Sequence, residues 1–296
     1  MPSMTTFAPA KINLGLQIGK HNANGLHELS SFMYTIDLQD QLSIEARKAT
    51  KLAPRLDLSV EEADLSTGSD NLVYQAAQLW QQASGLELDL KIKLIKRIPQ
   101  GAGLGGASSD AASTLLALNR LFPEAALATE DLLPLAKRLG SDVPFFLRPG
   151  LALVSGSGEK ILHLESLPQL TLLLVKPNFS LSTGKVFAAL DKTRSESECM
   201  YNEPFTRDDL SALKANPELC YGRLKNDFTG LLSQQYPPLA VLLSSLEASQ
   251  ACFASLSGSG PTCYAVFKEE ATRDQTLAAL RTQFPDYWFC ATYTLS

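Results

Sequence analysis

Apolar and polar residues alternate along the first part of the chain, between residues 6 and 18. This period of two predicts a β-strand, with isoleucine and leucine side chains on one face and Lys11 and Asn13 on the other. Residues two apart on a strand lie about 7 Å from each other, so the ammonium and the amide could reach one ligand. A solvated lysine on an edge strand is the equally weighted alternative for Lys11.

Apolar runs and helical periods predict the other elements. Residues 71–84 form an amphipathic helix that ends at Gly85, and a second helix ends at Gly140, before Asp142 and an apolar strand. Strands and helices interleave through the second half, which favours an α+β sandwich of antiparallel sheet and helices. A glycine cluster predicts a domain boundary near residue 155, which divides the chain into domains 1–155 and 156–296. The second-half segments are LTLLLVKP, PPLAVLLSSLEASQ, the hairpin ACFASLSGSG–PTCYAVF, EEATRDQTLAALRTQF and YWFCATYTL.

The stretch from Pro99 to Ala112, PQGAGLGGASSDAA, concentrates glycines and small polar residues between a predicted strand, LELDLKIKLIKRI, and a predicted helix, AASTLLALNRLF. Free N–H groups at a helix start, together with the helix dipole, favour an anion, and glycine lets a phosphate approach the backbone. The composition therefore predicts a phosphate-binding loop.

Two other phosphate-binding patterns fit this loop less well. Gly101, Gly103 and Gly106 satisfy G-x-G-x-x-G, a weak match that also requires a second strand ending in an acid about 20 residues on. That interval, LFPEAALATEDLLPLAKRL, has a helical pattern instead. The chain has no G-x-x-x-x-G-K-[ST] motif, which excludes a Walker loop.

Composition narrows the classes of partner. The 296 residues carry a net charge of −5, which argues against nucleic acid as a partner. The five cysteines are odd in number and lack C-x-x-C spacing, so they indicate reduced thiols rather than a zinc site or a disulfide framework. No apolar run has the length of a membrane helix, and the N-terminus has no leader pattern. We therefore expect a cytoplasmic protein without a membrane partner.

Three separated motifs, APAKINLGL, P-x-x-x-G-L-G-G-x-S-S-D-A-A and LSGSGPT, together resemble the GHMP kinase superfamily of small-molecule kinases. The segments GLHEL, GSDVPFFL, GLALVSGSGE and VKPNFSLSTGKVF resemble the branch whose acceptor is a terpenoid precursor with a cytidine diphosphate group. This resemblance implies an α+β fold of two domains. The N-terminal ATP domain would be similar to ribosomal protein S5 domain 2, and the C-terminal domain would be a ferredoxin-like α/β sandwich.

The resemblance also implies roles for individual residues. Asp142 would accept the proton of the attacking hydroxyl, and Lys11 would hold that hydroxyl and keep the carboxylate ionised. Magnesium would accompany ATP, with Ser108 or Ser109 as its protein contact and Asp110 as the alternative. The residues expected to bind ATP are Pro99, Gly101, Ala102, Gly103, Leu104, Gly105, Gly106, Ala107, Ser108, Ser109, Lys96 and Asn71.

For the acceptor, the resemblance implies that His27 reads the cytosine edge, with Asn13, Thr183 and Phe187 nearby. The chain departs from the family pattern at Leu26, where an aromatic residue commonly precedes the histidine. Phe187 would then stack on one side of the base while Leu26 supplies an apolar contact, at a cost of about 1 kcal/mol of aromatic interaction.

Three alternatives remain open at the level of the sequence. The nearest is another small-molecule kinase of the same superfamily. The second is a nucleotide-binding module without catalysis, against which the presence of both Lys11 and Asp142 argues. The third is a dinucleotide-dependent oxidoreductase, which the weak glycine fingerprint permits.

Overall fold

The computed structural model describes residues 2–49, 55–61, 65–194, 204–215 and 221–295. The chain divides into two compact units, which interleave along the sequence. Because both units draw on early and late segments, a single boundary near residue 155 stays a prediction. Unit 1 comprises Met1–Ala10, Leu38–Pro99 and Gly105–Pro149, and unit 2 comprises Lys11–Asp37, Gln100–Leu104 and Gly150–Ser296.

Two long strands, β1 and β2, pair with each other and run through segments of both units. In unit 1, the second half of β2 pairs antiparallel with β4, and β4 pairs parallel with β3. The elements here are β1 (Ser3–His21), β2 (His27–Lys48), β3 (Leu56–Val60), α1 (Leu72–Ser84), β4 (Leu88–Ile95), α2 (Gly106–Leu121), a 3-10 turn (Pro123–Ala125), α3 (Thr129–Leu139) and α4 (Val143–Phe146).

The predicted helix over residues 71–84 is confirmed as α1. Asn71 caps its start, because the side-chain oxygen accepts a hydrogen bond from the N–H of Val73 at 2.9 Å. Gly85 ends it in the left-handed conformation, with φ of 70°. The ring of Trp80 is fully buried, and its Nε1 donates to Asn119 Oδ1 of α2 at 2.7 Å. The apolar face of α1 therefore packs on α2, as its period indicates.

One prediction for unit 1 is wrong, and one strand of this unit was not predicted. The apolar residues after Asp142 form the one-turn helix α4 rather than a strand. Pro144 lies in the first turn of that helix, where its missing N–H costs nothing, and all four residues are buried, so no polar face marks the helical period. The short strand β3, which lies parallel beside β4, was not predicted.

Unit 2 contains the first half of β2, which pairs antiparallel with β5, and β5 pairs antiparallel with β6. Its other sheet has four antiparallel strands in the order β10-β7-β9-β8. The elements are β5 (Leu151–Gly156), β6 (Lys160–Leu164), β7 (Thr171–Lys176), α5 (Thr183–Thr193), α6 (Arg207–Ala215), a 3-10 turn (Tyr221–Arg223), α7 (Phe228–Gln235), α8 (Pro237–Glu247), β8 (Phe253–Leu256), β9 (Cys263–Phe267), α9 (Glu270–Gln283) and β10 (Trp288–Tyr293).

The four-stranded sheet follows the ferredoxin-like pattern, because its strands alternate with helices in the order β-α-β-β-α-β. The leucines of β7 are fully buried, and Leu173 among them shares one apolar core with Leu239, Leu242 and Leu246 of α8. The hairpin predicted from the late glycine cluster is confirmed as β8 and β9. The second half therefore folds as its apolar pattern indicates.

Two further predictions concern the described part of the chain. No helix among the described residues is long and apolar enough to cross a membrane. Cys252, Cys263 and Cys290 are free thiols, as the spacing of the cysteines predicts. Cys199 and Cys220 lie outside the described residues.

Candidate active site

The glycine-rich loop turns through left-handed backbone conformations at Gly101, Gly103 and Gly105, where φ is 55°, 74° and 71°. Residues with a Cβ seldom adopt these angles, so the glycines are required by the path of the chain. Gly101 and Gly103 belong to unit 2, and Gly105 begins the next segment of unit 1. The strand-to-helix position predicted for the loop is confirmed, since β4 precedes it and α2 follows.

Within unit 2, Gly103 lies against the turn between β8 and β9. A Cβ at Gly103 would lie 2.2 Å from the carbonyl oxygen of Ser257, so no larger residue fits. Ser257 Oγ donates a hydrogen bond of 2.9 Å to the carbonyl oxygen of Gly103. The turn that sequence motifs single out at Gly258 therefore holds the loop at Gly103.

Within unit 1, the loop ends where α2 begins. No side-chain hydrogen bond caps this helix among the described residues, so its first N–H groups remain available for an anion. A Cβ at Gly106 would lie 2.9 Å from Cγ2 of Ile98, so a larger residue at the first helical position would require Ile98 or the backbone to shift. Ser109 Oγ is buried and has no hydrogen-bond partner in the described chain, whereas Ser108 is half-buried. An uncapped helix start and an unsatisfied hydroxyl fit a phosphate and its magnesium ion.

Lys96, predicted to bind ATP, lies between two carboxylates of unit 1. Its side chain is 4% exposed, and Nζ donates to Asp110 Oδ2 at 2.7 Å and to the carboxylate of Asp40. Burial alone would lower the pKa of Lys96, but the two carboxylates outweigh it and raise that pKa. The positive charge of Lys96 is thus engaged by the protein, and its contact with ATP stays a prediction.

Lys96 faces the two carboxylates of Asp40 and Asp110, so this group has one excess negative charge, which is assigned to Asp110. Burial raises its pKa to about 7, with Lys96 acting in the opposite direction and Asp40 adding to the rise. The carboxylate of Asp40 has more hydrogen bonds than that of Asp110, because its Oδ1 accepts from the N–H groups of Arg97 and Ile98, the latter at 2.8 Å. Sequence reasoning missed Asp40, although an aspartate within the apolar alternation of a strand is a signal of a buried carboxylate.

Asn71 and Asp142 also belong to unit 1. Asn71 is the N-cap of α1, and its Nδ2 donates to the carbonyl oxygen of Ser66 at 2.7 Å, so its role in ATP binding stays a prediction. Asp142 is half-buried and immediately precedes α4, two residues after Gly140 ends α3. The position predicted for Asp142 at the end of a helix is confirmed, and its catalytic role stays a prediction.

Lys11 and Asn13 share a buried face of β1 in unit 2, each only 4% exposed. The ammonium of Lys11 donates to Asn13 Oδ1 at 2.5 Å, and Asn13 Nδ2 donates to Ser31 Oγ at 2.8 Å. The alternative of a solvated lysine on an edge strand is therefore wrong. A buried ammonium needs polar partners, and the predicted pairing of these two side chains on one face supplies one.

The Gly258 turn lies against this pair. A Cβ at Gly258 would lie 3.2 Å from Lys11 Nζ and 3.3 Å from Asn13 Oδ1. Asn226 stabilises the turn, because its Nδ2 donates to the carbonyl oxygens of Leu256 at 3.0 Å and Gly258 at 2.8 Å. Sequence reasoning missed this role of Asn226.

The residues predicted to bind the acceptor also belong to unit 2. The rings of His27 and Phe187 stack with centroids 5.3 Å apart, so these two predicted neighbours are together. Leu26 is 57% exposed, and Thr183 Oγ1 shares a 2.9 Å hydrogen bond with Ser259 Oγ. The structure thus brings a buried imidazole and an aromatic ring together, but acceptor binding stays a prediction.

Two neighbours of His27 were missed by sequence reasoning. Asp191 Oδ1 lies 2.8 Å from His27 Nε2, and the ring centroid of His21 lies 3.9 Å from that of His27. His21 and His27 lie on either side of the same Asn-Gly turn, and this spacing indicates that the two histidines are neighbours. Asp191 lies 164 residues from His27, and no local pattern connects them.

Comparisons with known proteins agree with this geometry. Residues 71–150 match the GHMP kinases N terminal domain, and residues 210–286 match the GHMP kinases C terminal model. A 4-diphosphocytidyl-2-C-methyl-D-erythritol kinase of Deinococcus radiodurans is 38% identical over 96% of this chain and 91% of its own length. The enzyme of the same name from Pelotomaculum thermopropionicum is 36% identical over 94% of each chain.

The solved structures give the same picture. The crystal structure of a 4-(cytidine 5'-diphospho)-2C-methyl-D-erythritol kinase superposes with a TM-score of 0.82 and 31% identity, over 99% of this chain and 100% of that one. Together with the family matches, this superposition confirms the two-domain α+β fold expected from the three sequence motifs.

Proposed function

Since the chain belongs to the GHMP kinase family and, within it, to the 4-diphosphocytidyl-2-C-methyl-D-erythritol kinases, we propose that it phosphorylates the 2-hydroxyl of 4-diphosphocytidyl-2-C-methyl-D-erythritol at the expense of ATP. This reaction would place it in the non-mevalonate pathway to isoprenoids. The protein would act in the cytoplasm on small molecules, without nucleic acid or membrane.

The observation that carries the proposal is the glycine-rich loop. Three left-handed glycines lead into the start of α2, where no side-chain cap occupies the free N–H groups among the described residues. These amides would hold the phosphates of ATP, and the unsatisfied Oγ of Ser109 offers a further polar contact. A dinucleotide fingerprint is disfavoured, because α3 follows α2 where that motif requires a strand.

A magnesium ion, when bound, would neutralise charge on the triphosphate. Ser108 or Ser109 would be its protein contact, since magnesium takes oxygen ligands and retains several waters. Asp110 fits this role less well, because Lys96 already donates to its Oδ2 and burial raises its pKa to about 7.

Asp142 would act as the general base for the acceptor. The hydroxyl oxygen would attack the γ-phosphorus while its proton moves to the Asp142 carboxylate, and the bond from the γ-phosphorus to the bridging oxygen would break to release ADP. Lys11 would hold the reacting hydroxyl, and Asn13 keeps the Lys11 ammonium in one position through its hydrogen bond. Phosphoryl transfer depends on positioning and charge more than on a strong base, so a carboxylate suffices.

The cytosine of the acceptor would bind on unit 2. His27 is the candidate to read the base edge, with Asn13 and Thr183 as further polar contacts, while Phe187 offers a stacking face. Leu26 would supply an exposed apolar contact where the family pattern has an aromatic ring.

A coupled assay of purified protein tests this function. The assay measures ADP release with ATP, magnesium and one acceptor at a time: 4-diphosphocytidyl-2-C-methyl-D-erythritol, mevalonate or homoserine. We expect turnover with the first acceptor alone. Turnover with mevalonate or homoserine instead would identify another small-molecule kinase of the superfamily, and no ATP consumption with any acceptor would favour a binding module.

A further inference from the structure

His21, His27 and Asp191 form a compact cluster on unit 2, which the phosphoryl-transfer chemistry does not use as a group. Nε2 of His27 lies 2.8 Å from Asp191 Oδ1, and Nε2 of His21 lies 3.7 Å from the same oxygen. One ligand atom from each residue lies within 4.8 Å of the others. We propose that these three side chains form a binding site for a divalent transition-metal ion such as zinc.

The spacing of the three donor atoms suits a tetrahedral ion. Zinc binds imidazole nitrogen and carboxylate oxygen at about 2.0–2.2 Å, so two ligands of one tetrahedral ion lie about 3.4 Å apart. The two measured separations from Asp191 Oδ1, 2.8 Å and 3.7 Å, bracket that distance. Small side-chain rotations would therefore complete the site. Two imidazoles and one carboxylate leave the fourth position to water.

The tautomer of His27 also suits a metal ion. Its Nδ1 lies 3.0 Å from the carbonyl oxygen of Gly19, an acceptor that fixes a proton on Nδ1. Nε2 then faces Asp191 Oδ1 at 2.8 Å, and a zinc ion bound by these two atoms would take the place of any proton between them. Metal-binding histidines almost always make such an outer hydrogen bond, which orients the ring. Any proton on Nε2 would pass to solvent when the metal binds.

The local chain path holds the two histidines in place. His21 ends β1 and His27 begins β2, so they are the two arms of one turn. The N–H of Asn22 donates to the carbonyl oxygen of Leu26 at 2.7 Å, and the N–H of Leu26 donates to Asn22 Oδ1 at 3.1 Å. This closed turn fixes the spacing of the histidines before any metal arrives.

The site would be open to solvent and would select transition-metal ions over magnesium. The side chains of His21 and Asp191 are 48% and 40% exposed, which leaves an entry path, while Phe187 covers one face of His27. Imidazole ligands suit zinc, copper and nickel, whereas magnesium prefers oxygen ligands. The magnesium that accompanies ATP would therefore not compete for this cluster.

Occupancy of this site would oppose binding of the acceptor, an inference that rests on the proposed function. The metal takes Nε2 of His27, the nitrogen whose hydrogen-bonding the base edge would need. Zinc would then act as an inhibitor competitive with the cytidine-containing acceptor but not with ATP.

Direct metal titration of the full-length protein tests the site without any substrate. We expect cobalt to give the visible d–d bands of a tetrahedral ion, and zinc to displace it stoichiometrically. His21→Ala and Asp191→Asn should each weaken zinc binding by about 100-fold or more, since loss of even an outer-shell partner costs about 10–100-fold. His163→Gln, a change of the third histidine of the chain, should bind as the wild type does.

Equal zinc affinity in the wild type, His21→Ala and Asp191→Asn would overturn the site. A cobalt–thiolate charge-transfer band would do the same, since it would assign the metal to a cysteine. In the kinase assay with magnesium in excess, zinc should raise the KM for the acceptor in the wild type and not in His21→Ala. If zinc binds at the cluster but leaves that KM unchanged, the metal site stands and the cytosine role of His27 fails.

Discussion

Ser257 Oγ donates a 2.9 Å hydrogen bond to the carbonyl oxygen of Gly103, and the two residues approach so closely that a Cβ on Gly103 would lie 2.2 Å from the Ser257 carbonyl oxygen. This contact joins two glycine-rich segments that are more than 150 residues apart in the chain. It holds the glycine-rich loop in the conformation that has positive φ angles at its glycines.

We expect Gly103→Ala to be strongly destabilising. A left-handed φ costs a residue with a Cβ about 1–2 kcal/mol, and the contact with Ser257 adds a backbone clash to that cost. Gly85→Ala is the matched control, because φ there is 70° and nothing lies within 4 Å of the added Cβ. Urea unfolding should show a larger loss for Gly103→Ala, together with a raised KM for ATP. Equal losses of stability in the two variants would show that the contact with Ser257 is not restrictive.

Asp142→Asn should lower kcat by about 10²–10⁴-fold, because the amide cannot accept the proton of the acceptor hydroxyl. ATP affinity should stay near that of the wild type. Steady-state kinetics and nucleotide titration measure the two effects separately. Asp131→Asn, at an exposed acid in the first turn of α3, should leave kcat unchanged. Near-normal turnover of Asp142→Asn would remove Asp142 as the base.

Leu26→Tyr should improve binding of the acceptor. An aromatic contact with the base is worth about 0.5–1.5 kcal/mol, which corresponds to a KM for the acceptor lower by about fivefold. Leu26 is 57% exposed, so the larger ring can be accommodated without repacking the core. Val241→Tyr places the same ring at a surface position that is 50% exposed and should leave both KM values unchanged. An unchanged acceptor KM in Leu26→Tyr would argue against a stacking position at this residue.

The stability of the protein should depend on Asp110 between its unfolded and folded pKa values. Burial raises that pKa from 3.8 to about 7, so the folded state binds more protons than the unfolded state between these values. The free energy of unfolding therefore falls as pH rises from about 4 to 7 because of this group. Asp110→Asn should remove that negative contribution, and urea unfolding at several pH values measures the slope.

Asp89 provides the control of opposite sign. A hydrogen bond from the Arg55 N–H, together with the Arg47 side chain, lowers its pKa below 3.8. Its stabilising contribution is present above pH 3.8 and is lost as pH falls below that value. Asp89→Asn should therefore leave the slope between pH 4 and 7 unchanged. A wild-type slope identical to that of Asp110→Asn would contradict the raised pKa.

Local patterns were sufficient for much of the architecture. The period of two placed Lys11 and Asn13 on one face of β1, and the amphipathic period with Gly85 placed α1, since both features depend on neighbours in the chain. The strand predicted after Asp142 was wrong, because four buried apolar residues around a proline carry no polar face from which a helical period can be recognised.

The sequence by itself determined the motifs: a glycine-rich loop before a helix, a lysine and an asparagine on one strand face, and an aspartate after a helix end. These depend on steric and hydrogen-bonding preferences over a few residues. Tertiary structure alone decided that Lys11 is buried against Asn13, that Asp40 and Asp110 engage Lys96, that Ser257 meets Gly103, and that Asp191 meets His27. A buried polar group is costly unless it is hydrogen-bonded, so each of these groups is paired in the folded chain. Its partner is distant in sequence and is brought near only by packing, so no local period predicts the pair.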